Sequence, residues 1–559
     1  MTNNIFGMFR GGSREDLLAD PSSLAEWLAQ QPANDPLGLQ EAMIRLLEDM
    51  AVRQPKVTHS RVLAVLELDR TSGPIQERLL KQYLQLTLSE SVRQRLWHAC
   101  DDLARWFAYV YEHLLVSVQQ QVIGRKANKH HLHGVASRMF YYRGQQSKHS
   151  LFRYERWIPG RWQSLHKSYQ AVVKQDLARM PFSLAVDSPV SEQYSAEEEY
   201  LQILLLQRLN SGNLNAQQVQ FAAEWLRDCI HTLSLAPPPL EGGGFWLDLG
   251  LGEGLLARKP HTAQGASLYL DVARLQRRIV DRLVEINLEM KRDRPTMPRA
   301  EADRYSEQLQ RLERLWHPQG KLIERRGERV ETDRPVSVAA GLVQITAALH
   351  GNESQQTVLN RRYHGGDPME VASGLVQPLV RSDVSKMIEY QSEGASGWRM
   401  RDISESGCRL VSQSREATAQ QLGGLIGMQE GGDARWKIGI IRRLTSASAG
   451  QIELGVEFIA QQSVLISPKP AASRNTGYSV DGIDVGAGGK GFDALYLPPM
   501  QSDFAAPRRS MVVPAVEYGE RRRFFLNFGS SGCTVEMTAA LERIRDWVWT
   551  SFEVVPNAE

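Results

Sequence analysis

Arg325, Arg326 and Arg329 crowd the segment Arg325-Arg-Gly-Glu-Arg329, and farther along the chain Asp402, Ser404 and Gly407 punctuate Asp402-Ile-Ser-Glu-Ser-Gly407. A guanidinium fork donates paired, charge-assisted hydrogen bonds to phosphate oxygens or to O6 and N7 of guanine, and its flat face stacks on a purine. A carboxylate such as Asp402 accepts from the guanine N1–H and exocyclic amine, and a hydroxyl such as Ser404 donates or accepts beside it. Gly407 permits a tight turn and close approach of backbone to ligand. Each segment also has a plainer reading. Arg325 to Arg329 fits the solvated end of a helix running on from Leu312, and Asp402 to Gly407 fits a β-turn whose Asp and Ser bond their own backbone.

The elements that must position these groups change character along the chain. From Ser13 to about Met290 the pattern is helical, clearest at Val92, Leu96, Ala99, Leu103, Trp106, Val110 and Leu114, a stripe spaced by three and four that predicts a core face. Ser195 with Glu198 and Asn215 with Gln218 form two capping boxes, so a helical hairpin is expected over them. A further helix places Val272, Leu275, Ile279, Leu283, Ile286 and Met290 on one side. After Trp316-His-Pro-Gln-Gly320 proline and glycine punctuate the chain, and strands are expected over Arg334 to Val338, Trp398 to Ile403, Cys408 to Val411, Trp436 to Arg442 and Ile452 to Ile459. That set predicts a small antiparallel barrel. Residues 468–492, rich in Gly, Ser and Pro, read as a linker. Strands at Arg509 to Val516 and Arg523 to Phe528 and a helix from Ala539 to Trp549 are expected in the tail.

Composition narrows the function classes. The 66 basic and 64 acidic residues among 559 leave a net charge of +2, no footprint for a nucleic-acid polymer or anionic membrane. Cys100, Cys229, Cys408 and Cys533 lie far apart, which suggests neither zinc nor a disulfide framework. No signal-like stretch and no membrane span are read, so a cytoplasmic location is expected. Trp246-Leu-Asp-Leu-Gly-Leu-Gly-Glu-Gly254, with Asp271 downstream, resembles the glycine loop of an S-adenosylmethionine-dependent methyltransferase, but the helix it should open is cut short by Lys-Pro. Asn128-Lys-His-His-Leu-His133 reads as a polar loop in preference to a metal site. Tyr141, Tyr142, Phe152, Tyr154, Trp157 and Trp162, interleaved with arginines, read as helix packing in preference to RNA stacking. Gly486 to Gly491 lacks the Ser or Thr of a phosphate loop and reads as linker.

Taken in order, Arg325 to Arg329, Asp402 to Gly407, and the paired segments Trp436 to Arg443 and Leu454 to Phe458 resemble a PilZ domain, the first two matching its RxxxR and [D/N]xSxxG elements. The resemblance implies cyclic di-GMP as ligand, held by Arg325, Arg326, Arg329, Asp402, Ser404 and Gly407, with no catalytic residue, no metal and no other cofactor. It also implies arginines on a segment before the first strand that fold over the ligand and reposition the helices, which would meet an unidentified protein partner. The stretch from Val343 to Gly397 departs from the family's spacing and is expected to be a partly helical insertion. A ligand-free interaction scaffold is the alternative, because PilZ-like barrels without a competent site exist. Asn527-Phe-Gly-Ser-Ser-Gly532 is a weaker echo of the second element and is assigned no ligand. The expected fold is multidomain α plus β: an all-α region over 1–318, a PilZ-like antiparallel β-barrel over 319–467 with its insertion at about 343–397, a linker over 468–492, and a small α/β extension over 493–559.

Overall fold

Apolar residues three and four apart give each long helix of the first part of the chain one face to bury. The computed structural model describes residues 16–32, 34–85, 88–120, 125–185, 192–209, 212–237, 243–257, 267–318, 329–350, 397–413, 421–431, 435–446, 451–471, 491–498, 509–528, 531–544 and 546–555. The chain divides into two compact units, Met1–Ile323 and Glu324–Glu559.

In the first unit α1 (Pro21–Ala29), α2 (Pro36–Arg53), α3 (His59–Tyr83), α4 (Glu90–Gln120), α5 (Arg125–Phe152), α6 (Pro159–Val173), α7 (Ala196–Arg208) and α8 (Ala216–Cys229) contribute to one core. A small sheet follows, made of β1 (Leu235–Ala236), β2 (Phe245–Asp248) and β3 (Ser267–Leu270), and then α9 (Ala273–Met290) and α10 (Arg299–Leu315). Leu96, Ala99, Leu103, Val110 and Leu114 of α4 are buried as their spacing predicts, whereas Val92 in its first turn is exposed. Both capping boxes form, at Ser195 and Asn215, and α7 and α8 pack together, with Gln202 Nε2 donating to the Ala223 carbonyl at 3.2 Å. Asp69 of α3 is fully enclosed. Arg138 donates to both its oxygens at 2.8 Å, and the hydroxyls of Tyr111 and Tyr142 donate at 2.5 and 2.6 Å, so the buried charge is paired and its lone pairs are filled.

Three expectations for this unit are corrected or refined. Residues 128–133 lie within α5, not in a loop, because Leu132, Val135, Ala136, Met139 and Phe140 supply a buried helical stripe. Of the aromatic cluster, Tyr142, Phe152 and Trp162 are buried and the Arg138 guanidinium lies 3.8 Å over the Tyr141 ring, so these rings pack between helices with an arginine along an aromatic face. The glycine loop of the methyltransferase reading follows β2, but β3 pairs with both β1 and β2 antiparallel. A nucleotide crevice needs parallel strands. Here the glycines serve packing: a Cβ on Gly252 would stand 2.7 Å from Pro159 and one on Gly254 2.7 Å from Trp162, and the Glu253 carbonyl lies 2.7 Å from His166 Nε2.

The second unit opens with β4 (Val330–Ala340), α11 (Gly341–His350), β5 (Trp398–Ser404), β6 (Gly407–Ser412), β7 (Leu425–Glu430), β8 (Lys437–Ser446) and β9 (Ile452–Ala460). The strands close an antiparallel barrel in the order β4-β5-β6-β9-β8-β7, with β7 pairing back onto β4. β7 had no place among the expected strands because glycines surround and interrupt it. Gly427 is needed there, since its Cβ would meet Ile345 of α11 at 3.0 Å and Trp436 at 3.1 Å. The insertion between β4 and β5 begins as α11, and its remainder, 351–396, lies outside the described residues.

The rest of the unit is a seven-stranded sheet of β10 (Val464–Ile466), β11 (Lys469–Pro470), β12 (Ala494–Leu497), β13 (Ser510–Pro514), β14 (Arg523–Phe528), β15 (Ser531–Arg543) and β16 (Trp547–Val555), in the order β10-β12-β13-β16-β15-β14-β11. The helix expected over Ala539 to Trp549 is corrected to the end of β15 and the start of β16. Bulges between Met537 and Ala540 and between Ala540 and Glu542 break the alternation of β15 and imitate a helical spacing. The linker assigned to 468–492 yields β11 at its start, and 472–490 lies outside the described residues.

This sheet repeats the connectivity of the first barrel. If β10 and β11 are taken as two halves of one strand, every neighbour pair matches: β10 pairs β12 and β11 pairs β14, as the two halves of β4 pair β5 and β7. Tyr496, Met511, Val513, Phe524, Leu526, Val535 and Phe552 fill its interior. Leu495, Leu497, Val512 and Trp547, on the other side, join α11 and Ile438, Ile440 and Ile459 of the first barrel in a second core.

Candidate functional site

The barrel's register assembles the site. β4 and β5 pair Val330 with Ile403 and Glu331 with Asp402, so Arg329, immediately before β4, arrives beside the end of β5. Arg329 Nη1 donates to Asp402 Oδ1 at 2.7 Å. A two-residue turn joins β5 to β6 and pairs Ser404 with Gly407, Ile403 with Cys408 and Asp402 with Arg409. Arg409 Nε lies 2.8 Å from Asp402 Oδ2, an ion pair whose N–H is not aligned for a hydrogen bond, and Arg409 Nη1 is 3.9 Å from Glu453. Asp402 thus sits between two guanidiniums and is only 7% exposed, while Arg329 remains open to solvent. Asp333 alongside is held below its usual carboxylate range by the hydrogen bond from Arg399, with Arg401 2.9 Å away. The outer face of β4, β5 and β6 is consequently rich in guanidiniums whose carboxylate partners lie at or near the surface.

The remaining candidates divide. Ser404 Oγ donates to the Gly407 carbonyl at 3.1 Å, which is the backbone-bonding turn of the plainer reading, and keeps its oxygen lone pairs as acceptors. Gly407 is required by a neighbouring strand: a Cβ there would stand 2.2 Å from the Val456 carbonyl oxygen of β9. Cys408 next to it is buried inside the barrel, and burial pushes its thiol up to about 12. Arg325 and Arg326 lie outside the described residues. Arg409 is the residue that sequence reasoning passed over. Counting back from the two-residue turn places 402 opposite 409, so the signal was available in the spacing.

The Asn527 to Gly532 echo falls on the hairpin of β14 and β15. In the repeated connectivity that hairpin corresponds to β7 and β8 of the first barrel, not to β5 and β6, so it is not a second copy of the ligand element. The hairpin that does correspond, β12 to β13, has residues 499–508 in its connection, outside the described residues. Among the described residues no group of His, Cys, Asp and Glu is arranged to hold a metal ion, and no helix is long and apolar enough to cross a membrane.

Comparison with known families gives two matches. Residues 22–239 match the family model for the N-terminal domain of the cyclic-di-GMP receptor FimW, and residues 381–464 match that for the same receptor's middle PilZ domain. The second match includes Asp402 to Gly407 and leaves β4 and Arg329 outside it. No curated protein matches the chain.

Proposed function

The chain belongs to the cyclic-di-GMP receptor FimW family, and from that premise we propose that its ligand is gripped on the outer face of the first barrel by Arg325, Arg326, Arg329, Asp402 and Ser404, with Gly407 setting the hairpin. The observation that carries this reading is the 2.7 Å contact between Arg329 and Asp402. It sets Arg329, the last residue of the RxxxR element, beside the first residue of the second element, and that contact supports the reading despite the long insertion between them. In the mechanism we infer, a phosphate of cyclic di-GMP replaces Asp402 as the partner of Arg329, and the released carboxylate accepts from the N1–H and exocyclic amine of a guanine. No bond is made or broken. The arginine segment begins just past the division of the chain at Ile323, so closing it over ligand bears on the connection to the helical unit, which we propose presents the surface for a protein partner.

The test is isothermal titration of the full chain with cyclic di-GMP, with GTP as control. Saturable binding at micromolar or lower concentration is expected. Arg329→Ala and Asp402→Asn are each expected to weaken it about tenfold or more, since a hydrogen bond to a charged group contributes ~1.5–3 kcal/mol. No heat and no thermal shift with the unsubstituted chain would leave the barrel as a ligand-free scaffold. That second reading draws on the pairing of Asp402 with both Arg329 and Arg409, which already occupies both carboxylate oxygens.

A further inference from the structure

Register places four residues in one row across four adjacent strands: Asp402 opposite Arg409, Arg409 opposite Gly455, and Gly455 opposite Arg443. Directly paired residues project from the same face of a sheet. The adjacent row, Leu410, Leu454 and Leu444, is buried, which fixes the Asp402 row as the outer one. Spacing of ~4.8 Å between strands makes this row roughly 14 Å long, enough for a purine flanked by two side chains.

Its far end is built unlike its neighbours. Gly455 leaves the floor bare, and a Cβ added there would stand 3.1 Å from the Cβ of Arg443. Arg442, next in sequence, is held by Glu457 and Glu542 at 2.7 Å, and Arg409 by Asp402. Arg443 is exposed and, among the described residues, has no carboxylate partner. A guanidinium with no counter-ion among the described residues therefore stands beside a side-chain-free floor, two strands beyond Arg409 and on the face that carries Asp402.

Resting on the proposed ligand site, we propose that Arg443 is a further ligand-contacting residue that determines base specificity: a guanine lies over Gly455 between Arg409 and Arg443, and Arg443 donates to its O6 and N7. Adenine would present an amine donor where Arg443 needs the O6 acceptor, so the arrangement rejects it.

The experiment is titration of the full chain and of its Arg443→Ala and Arg443→Lys variants with cyclic di-GMP and with cyclic di-AMP, beside Arg329→Ala. The alanine variant should bind cyclic di-GMP roughly tenfold more weakly and lose much of its preference over cyclic di-AMP, a loss typical of one bidentate base contact. Its thermal midpoint without ligand should match the unsubstituted protein, because the side chain is exposed. Lysine keeps the charge without the fork, so it should not restore the preference. Full affinity and preference in Arg443→Ala, alongside loss in Arg329→Ala, would overturn this inference and leave the receptor site standing. Full preference in Arg443→Lys would overturn the base contact in favour of simple charge attraction. Failure of the unsubstituted chain to bind would overturn both.

Discussion

Asp402 is a carboxylate with two claimants, and the difference between them bears on how the site works. Arg409 is tied to it by strand register, whereas Arg329 reaches it from the chain just ahead of β4, so Arg329 is the partner that can leave without disturbing the barrel. Gly407 needs separate treatment. Its closest obstacle is the Val456 carbonyl at 2.2 Å, so Gly407→Ala is expected to destabilise the second unit by about 1–3 kcal/mol in chemical denaturation, with or without ligand. Lost binding in that variant would then report folding before contact. The hairpin of Asp402 to Gly407 was legible in the sequence because a turn motif is local: its residues lie on one hairpin and their pairing follows from counting. The place of Arg443 in the same row was not legible, because its pairing with Gly455 depends on a bulge between Ile441 and Arg443 that only the folded barrel displays.

Among the elements, α11 does the most to join the parts of the second unit. Ile345 is fully buried, packed with side chains of both barrels, and Gly427 of β7 is kept bare to admit it. Ile345→Ala should cost about 2–4 kcal/mol in stability of that unit, read as a lower denaturation midpoint. The helix pairs announced by capping boxes were readable because a cap is spelled out in four residues. The end of β15 was not, since two bulges put Ala539, Leu541 and Ile544 out of strand phase. β12 was equally opaque: all four of its residues are buried, two inside its own barrel and two against α11 and the first barrel, and such a strand shows no alternation.

Across the whole molecule, the two units should answer differently to acid. His149 and His166 both belong to the helical unit, and burial holds each below the usual 6.5. His166 is bonded on both ring nitrogens, to the Tyr200 hydroxyl and the Glu253 carbonyl, an arrangement that fits a neutral ring. With folded values depressed, the unfolded chain takes up protons first, so stability present above pH 6.5 is lost as pH falls below it. A thermal transition of the helical unit should therefore drop from pH 6.5 downward, and His166→Gln should flatten that slope. A slope unchanged by the substitution would assign the acid response to other groups. The two barrels also differ in how they are shut. The first is sealed by β4, one unbroken strand, whereas the second is sealed by three paired residues on one side of Ser467 and Pro468 and two on the other. The edges of β12 and β14 are thus covered over only three and two residues. Their backbone amides should trade hydrogens with water by parting those few bonds, while those of the first barrel must wait for a much larger opening.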